Sequence, residues 1–261
     1  MSSSSLLPVS TRERPVPQRG VLFWLSIRVS GPRLFLVPQL TEVEWTIRPL
    51  LEEWAEVASY DPARAAERGP VRRESLVDAG LERLEKQGWD RFFIVGDTFG
   101  SATAVRIAHA RRGAVDGIAL GHACLSWDME GERAPINREL WAAMAQLMNQ
   151  DVNSFVRYGI TQLTQGSYDE RVARQMVERV PPDQLQALWE MIRDHPEPMG
   201  ELLREIDRPL LLAKHEGCLM FTDAGFEDAC ASFPAAGTVT VDKAPSADER
   251  FAGALREFCD G

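Results

Sequence analysis

Phe92-Phe-Ile-Val-Gly96-Asp97-Thr98-Phe99-Gly100-Ser101-Ala102 is an apolar run, then Gly-x-Thr-x-Gly, then small residues that open a helical pattern. A short apolar run rich in aromatic and β-branched residues reads as a buried strand. The stretch 99–111 reads as a helix. Gly96 and Gly100 allow the chain to turn sharply between the two, because a residue without Cβ tolerates close approach and unusual dihedrals. The side chain at the centre of the turn is Thr98. It is predicted to stand at the C-terminal end of a strand, beside the positive end of a helix.

Working outward from this turn, strands and helices alternate. Residues 20–29 read as one strand or two joined ones, and 33–38 as a buried strand after the turn signal Gly31-Pro32. Residues 43–56 carry Val43, Ile47, Leu50, Leu51 and Trp54 at helical spacing, with Pro49 starting that helix late or kinking it. Strands are predicted at 57–60, 91–95 and 115–120, and a helix at 74–87. Residues 129–207 then carry helix signals only, at 136–149, 152–163, 169–180, 183–193 and 199–206. The alternation resumes with a strand at 208–213, a helix at 222–231 and a strand at 237–241. Ser246-Ala-Asp-Glu249 reads as a capping box that opens the last helix. The expected architecture is α/β, a mostly parallel central sheet flanked by helices. Its core comprises 20–128 and 208–261, a helical lid at 129–207 is inserted after the sixth core strand, and 1–19, rich in Ser and Pro, forms a tail.

The Gly-x-Thr-x-Gly turn and the order of elements around it resemble the α/β-hydrolase superfamily, over roughly residues 20–261. Asp61-Pro62 resembles the superfamily's turn after its fourth strand, and Arg208-Pro-Leu-Leu-Leu the strand before its usual acid. The resemblance implies a nucleophile at the centre of the elbow, an acid after the next-to-last strand and a histidine after the last. Four departures stand against it. Thr98 replaces serine, and its extra methyl crowds a tight elbow. The acid loop reads Lys214-His-Glu-Gly-Cys218, with Glu216 the nearest carboxylate. No histidine follows His215, so the segment Asp242-Lys-Ala-Pro-Ser246 lacks the base of the superfamily. The oxyanion loop reads Val37-Pro-Gln-Leu-Thr41, and Pro38 has no N–H to donate. The Phe99 amide, one residue after Thr98, is the remaining oxyanion candidate.

Candidate catalytic residues are therefore Thr98, His122, Glu216 and His215. His122 follows the strand that should neighbour the elbow, and a compensating triad of Thr98, His122 and Glu216 is one reading. A local loop role for His122 is the other. Asp97 reads as a structural residue beside the elbow centre, and Cys218 as a small packed residue. Trp127, Trp141 and Met144 are expected to line an apolar pocket between lid and sheet.

Composition narrows the classes. The 261 residues carry a formal net charge of −10, which disfavours nucleic acid as the main partner. Hydrophobic residues make up 44%, enough for a sizeable core in a chain of this length. No apolar run reaches the roughly 20 residues that span a bilayer, so no membrane partner is expected. The opening residues lack the pattern of a secretory signal, and none of Cys124, Cys218, Cys230 and Cys259 forms a Cys-x-x-Cys pair. A cytoplasmic chain with no cofactor and no metal is the expectation. Two functions follow. One is a hydrolase-fold protein with a degenerate triad that binds a small apolar molecule or catalyses a non-standard reaction in a lidded pocket. The other is a hydrolase of small esters or acyl compounds with Thr98 as nucleophile.

Overall fold

A computed structural model describes residues 31–39, 41–69, 71–122, 138–155, 170–180, 183–184, 187, 190–191 and 199–261. Six strands form one sheet: β1 (Arg33–Val37), β2 (Glu56–Ser59), β3 (Phe92–Asp97), β4 (Val115–Gly121), β5 (Leu210–His215) and β6 (Gly237–Val241). Their order is β2-β1-β3-β4-β5-β6, and each neighbouring pair is parallel. The order reverses between β1 and β3, which opens a crevice at the C-terminal ends of the strands.

The strands read as continuous apolar runs because both faces are covered. Side chains alternate between the faces. Phe35, Val37, Ile94, Ile118, Leu120, Leu210 and Leu212 join one core cluster. Leu34, Leu36, Val95, Ala119, Leu211 and Ala213 join the other. The first face is covered by α2 (Arg73–Gln87), α3 (Gly100–Ala110) and the helix Met199–Ile206, through Leu76, Leu84, Ile107, Leu203 and Ile206. The second is covered by α1 (Arg48–Glu52) and the C-terminal helix Glu249–Asp260, through Leu51, Phe251 and Leu255. The small residues of α3, among them Ala102, Ala104 and Ala108, are buried and let that helix lie close to the strands.

Several expectations are refined. The helix expected over 43–56 is a 3-10 turn at Glu42–Glu44 followed by Arg48–Glu52, with Pro49 in the first turn, where its missing N–H costs nothing. Helices at Arg138–Gln150, Glu170–Arg179 and Met199–Ile206 occupy the stretch between β4 and β5. That stretch follows the fourth described strand; the strand expected at 20–29 and the tail at 1–19 lie outside the described residues. No described helix is long and apolar enough to cross a membrane.

The capping box expected at Ser246 is not the cap. Pro245–Ala247 form a 3-10 turn, and Asp248 caps the last helix by accepting the Arg250 amide at 2.9 Å. Its other oxygen accepts the amides of Asp242 and Lys243, at 2.9 and 3.1 Å. One carboxylate thus closes the whole turn from β6 to the helix, and Ser246 within that turn is buried. Burial alone would raise the Asp248 pKa, but the amide donors outweigh it and hold the group below its ordinary value. A depressed folded pKa gives stability that is present above about pH 4 and is lost as pH falls through the folded value. Asp248→Ala should therefore lower unfolding stability by about 1 kcal/mol at neutral pH. In chemical denaturation the gap between the two proteins should narrow as pH is taken below about 3.

Candidate active site

Thr98 occupies the turn between β3 and α3 with φ 51°, a left-handed conformation that is strained for a β-branched residue. Its amide donates to the Gly121 carbonyl at 3.3 Å, and its carbonyl accepts the Ser101 amide at 3.1 Å. The flanking glycines are required by contact. A Cβ on Gly96 would lie 2.7 Å from Ser101 Cα, and one on Gly100 would lie 2.2 Å from the Val37 carbonyl oxygen. Phe99 is half-buried at the start of α3.

β3 and β4 pair with Asp97 opposite Gly121, so Asp97 and His122 meet at the same edge of the sheet. His122, the residue after β4, also has a positive φ, 50°. Its Nδ1 lies 2.9 Å from Asp97 Oδ1. Both side chains are buried, with 5% of each exposed. The second oxygen of Asp97 accepts the Ser246 amide at 3.1 Å, from the turn after β6. Gly121 makes room for this carboxylate, since a Cβ there would sit 2.5 Å from Asp97 Oδ1. Burial would raise the Asp97 pKa, but the charge of His122 and the bonds from His122 and Ser246 hold it below the ordinary carboxylate value.

Thr98 Oγ1 is 3.2 Å from His122 Nδ1 and donates to Asp97 Oδ1 at 3.1 Å. The imidazole nitrogen nearest the hydroxyl is therefore the one already turned to Asp97. In a serine-type triad the two ring nitrogens divide the work: one donates to the acid and the other takes the proton of the nucleophile. Here the proton assigned to Nδ1 serves Asp97, and no lone pair remains at Nδ1 for Thr98. Asp97 itself, with a depressed pKa, is a weak base. The loop after β1 is also committed. Glu44, buried at 1% exposure, accepts the amides of Gln39 and Thr41 at 2.7 and 2.5 Å. Those two amides are bonded to Glu44 in the stretch where the resemblance implies an oxyanion loop.

The second ring nitrogen of His122 faces the other way. Its Nε2 lies 3.4 Å from His215 Nδ1. Cys218 completes the group: the ligand-type atoms of His122, His215 and Cys218 all lie within 4.8 Å of one another. His215 ends β5 and is 2% exposed, and Gly217, with φ 69°, turns the chain so that Cys218 comes back over it. The Phe221 ring packs on His122, with centroids 4.9 Å apart. Burial would lower the His122 pKa, but Asp97 and Cys218 raise it to about 10. Burial would raise the Cys218 thiol, but hydrogen bonds and charge from His122, with a bond from His215, lower it to about 5. The two imidazoles thus shift Cys218 toward its thiolate form. Beside them lies a cavity of about 20 Å³, bordered also by Phe221, Asp223 and Phe226. That is room for a water or an ion.

The structure therefore brings Thr98, His122 and His215 to one strand edge, and leaves Glu216 out. Glu216 is exposed, and its amide donates outward to Val241 at 2.8 Å. The acid beside His122 is Asp97, which the sequence assigned a structural role at the elbow. Cys218, which the sequence reads as a small packed residue, lies beside His122 and His215. Met144 packs half-buried against the main core and is not among the residues bordering this cavity. Trp127 and the side chain of Trp141 lie outside the described residues.

Neither a protein-family model nor a curated protein sequence matches the chain. Solved structures do. A hydrolase from Oleispira antarctica is similar with a TM-score of 0.73 at 11% identity, over 88% of this chain and 92% of that one. A hydrolase from Pseudomonas aeruginosa gives 0.67 at 19% identity, over 88% and 91%. The enol-lactonase from Burkholderia xenovorans gives 0.64 at 16% identity, over 88% and 92%.

Two glycines test the local packing. Gly121→Ala should push Asp97 away from His122 and cost about 1–3 kcal/mol by overpacking. Gly253→Ala, in the last helix where a Cβ meets nothing within 4 Å, should instead stabilise by about 0.5–1 kcal/mol. Equal effects of the two substitutions in urea denaturation would show that the Asp97–Gly121 contact is not tight.

Proposed function

We propose that this chain, which has the α/β-hydrolase fold, is a hydrolase with a relocated reactive centre: His122, His215 and Cys218, held by Asp97, carry the chemistry, and Thr98 does not. The observation that carries this reading is the orientation of His122. Its Nδ1 is bound to Asp97 at 2.9 Å, and its Nε2 is turned to His215 and Cys218 rather than to the elbow hydroxyl. The triad expected of the fold is thus degenerate at Thr98, while an acid–imidazole–thiol arrangement stands one strand further along the same edge. Strain supports the same site, because Thr98 and His122 both hold positive φ beside Asp97.

The substrate class is a small, largely apolar ester, lactone or related acyl compound. Solved structures of similar fold include an enol-lactonase. Asp97 positions His122, and the cluster of His122, His215 and Cys218 supplies the nucleophile.

A panel of small aryl esters and lactones tests the assignment with four variants. Cys218→Ala and His122→Ala should each lower kcat/KM by about 10²–10⁴-fold, the usual range for losing a group on which the reactive centre depends. Thr98→Val, which keeps shape and removes the hydroxyl, should retain more than about a tenth of the activity. Asp97→Asn should lower kcat while leaving KM nearly unchanged. A fluorophosphonate probe should not label Thr98. Loss of turnover in Thr98→Val with full activity in Cys218→Ala would return the reaction to the elbow and overturn the proposal.

A further inference from the structure

We propose that His122 Nε2, His215 Nδ1 and Cys218 Sγ form a three-ligand zinc site whose fourth position opens into the adjoining cavity. The inference builds on the relocated centre proposed for hydrolysis and names its nucleophile as a metal-bound water.

The geometry points to an ion for three reasons. First, the donor set is right in kind: two imidazoles and a thiolate suit a borderline-soft divalent ion, and three protein ligands with an open position are the pattern of catalytic zinc. Second, the spacing is right. Zinc–nitrogen bonds of about 2.0–2.1 Å in a tetrahedron put two ligand nitrogens about 3.3–3.4 Å apart. His122 Nε2 and His215 Nδ1 are 3.4 Å apart, beyond the usual range of a hydrogen bond but fitted to such an edge. Third, Asp97 already makes the contact that a metal-bound histidine needs. A carboxylate on the far nitrogen sets the tautomer and aims the near lone pair at the ion. Asp97 Oδ1 lies 2.9 Å from His122 Nδ1 for that purpose.

The cavity of about 20 Å³ beside the three ligands fits a bound water at the fourth position. Bound to zinc, that water ionises near neutral pH. In ester hydrolysis its oxygen bonds to the acyl carbon, the acyl C–O bond breaks, and its two protons go to the departing alcohol and to solvent as the carboxylate forms. No oxidant or further reactant is consumed.

The ligands come from residues 122, 215 and 218, so no short metal motif announces them. The sequence expectation of no metal rested on the absence of a Cys-x-x-Cys pair. The fold replaces that motif by aligning the ends of β4 and β5.

The test uses the untagged full chain, loaded with zinc or cobalt and freed of loose metal. Metal analysis should find one equivalent of zinc. The cobalt form should show the intense visible bands of a four-coordinate ion and a thiolate charge-transfer band. Cys218→Ser should abolish the charge-transfer band. His122→Ala and His215→Ala should each weaken zinc at least 100-fold against a chromophoric chelator, and Asp97→Asn 10–100-fold. Circular dichroism melts confirm that each variant is folded; where one is not, the cobalt spectrum of the native chain and the Asp97→Asn comparison still decide. No bound metal, a six-coordinate cobalt spectrum, or a spectrum unchanged in Cys218→Ser would overturn the site, as would binding of copper with no binding of zinc. Hydrolysis that depends on Cys218 and survives complete metal removal would overturn the zinc site while leaving the relocated centre standing. Stoichiometric zinc without hydrolysis of any ester or lactone would support the site and sink the hydrolytic reading.

Discussion

The Asp97 carboxylate accepts hydrogen bonds from His122, Thr98 and Ser246, and so ties together the ends of β3 and β4 and the turn after β6. A buried carboxylate is tolerable only when its oxygens are satisfied. That requirement explains several otherwise separate features. Gly121 lacks a side chain because the carboxylate occupies the space. His122 holds a positive φ because only that turn brings Nδ1 into reach. The Pro245–Ala247 turn presents the Ser246 amide inward, and Asp248 clamps that turn from the outside.

The same interaction fits an elbow that has a packing role of its own. The strained backbone at Thr98 and the two glycines keep α3 close to β1 and β3, which is a packing role independent of any nucleophile. The hydroxyl of Thr98 is absorbed as a donor to Asp97. An acid placed one residue before the elbow centre draws the imidazole down toward the sheet. A histidine that binds its acid in this way must turn its second nitrogen elsewhere, and the neighbouring β5 end offers His215 and Cys218.

Electrostatics follow from that turn of the ring. Asp97 raises the pKa of the imidazole, and His122 lowers that of the Cys218 thiol, so the two shifts reinforce one another along one strand edge. Such coupled perturbation at a strand edge is characteristic of functional sites. The parallel sheet places it there, because parallel strands bring all their C-terminal ends, and the loops that follow them, to one side.

The sequence by itself determined the fold. Alternating apolar runs and helical periods, with Gly-x-Thr-x-Gly between one pair, were sufficient for a parallel sheet covered on both faces and for the position of the elbow. They also picked out Thr98, His122 and His215, since each directly follows or ends a strand. Tertiary structure alone decided which of these atoms meet and in what orientation. Glu216 and Cys218 are two residues apart, yet the positive φ of Gly217 sends one to the surface and the other back over His215. Asp97 and Ser246 are 149 positions apart and touch. Ring orientation at His122 depends on a carboxylate whose partner strand is chosen by sheet order, and no local pattern encodes that order. Periodicity reports which face of an element is buried; it carries no information about which nitrogen of a buried imidazole finds its acid.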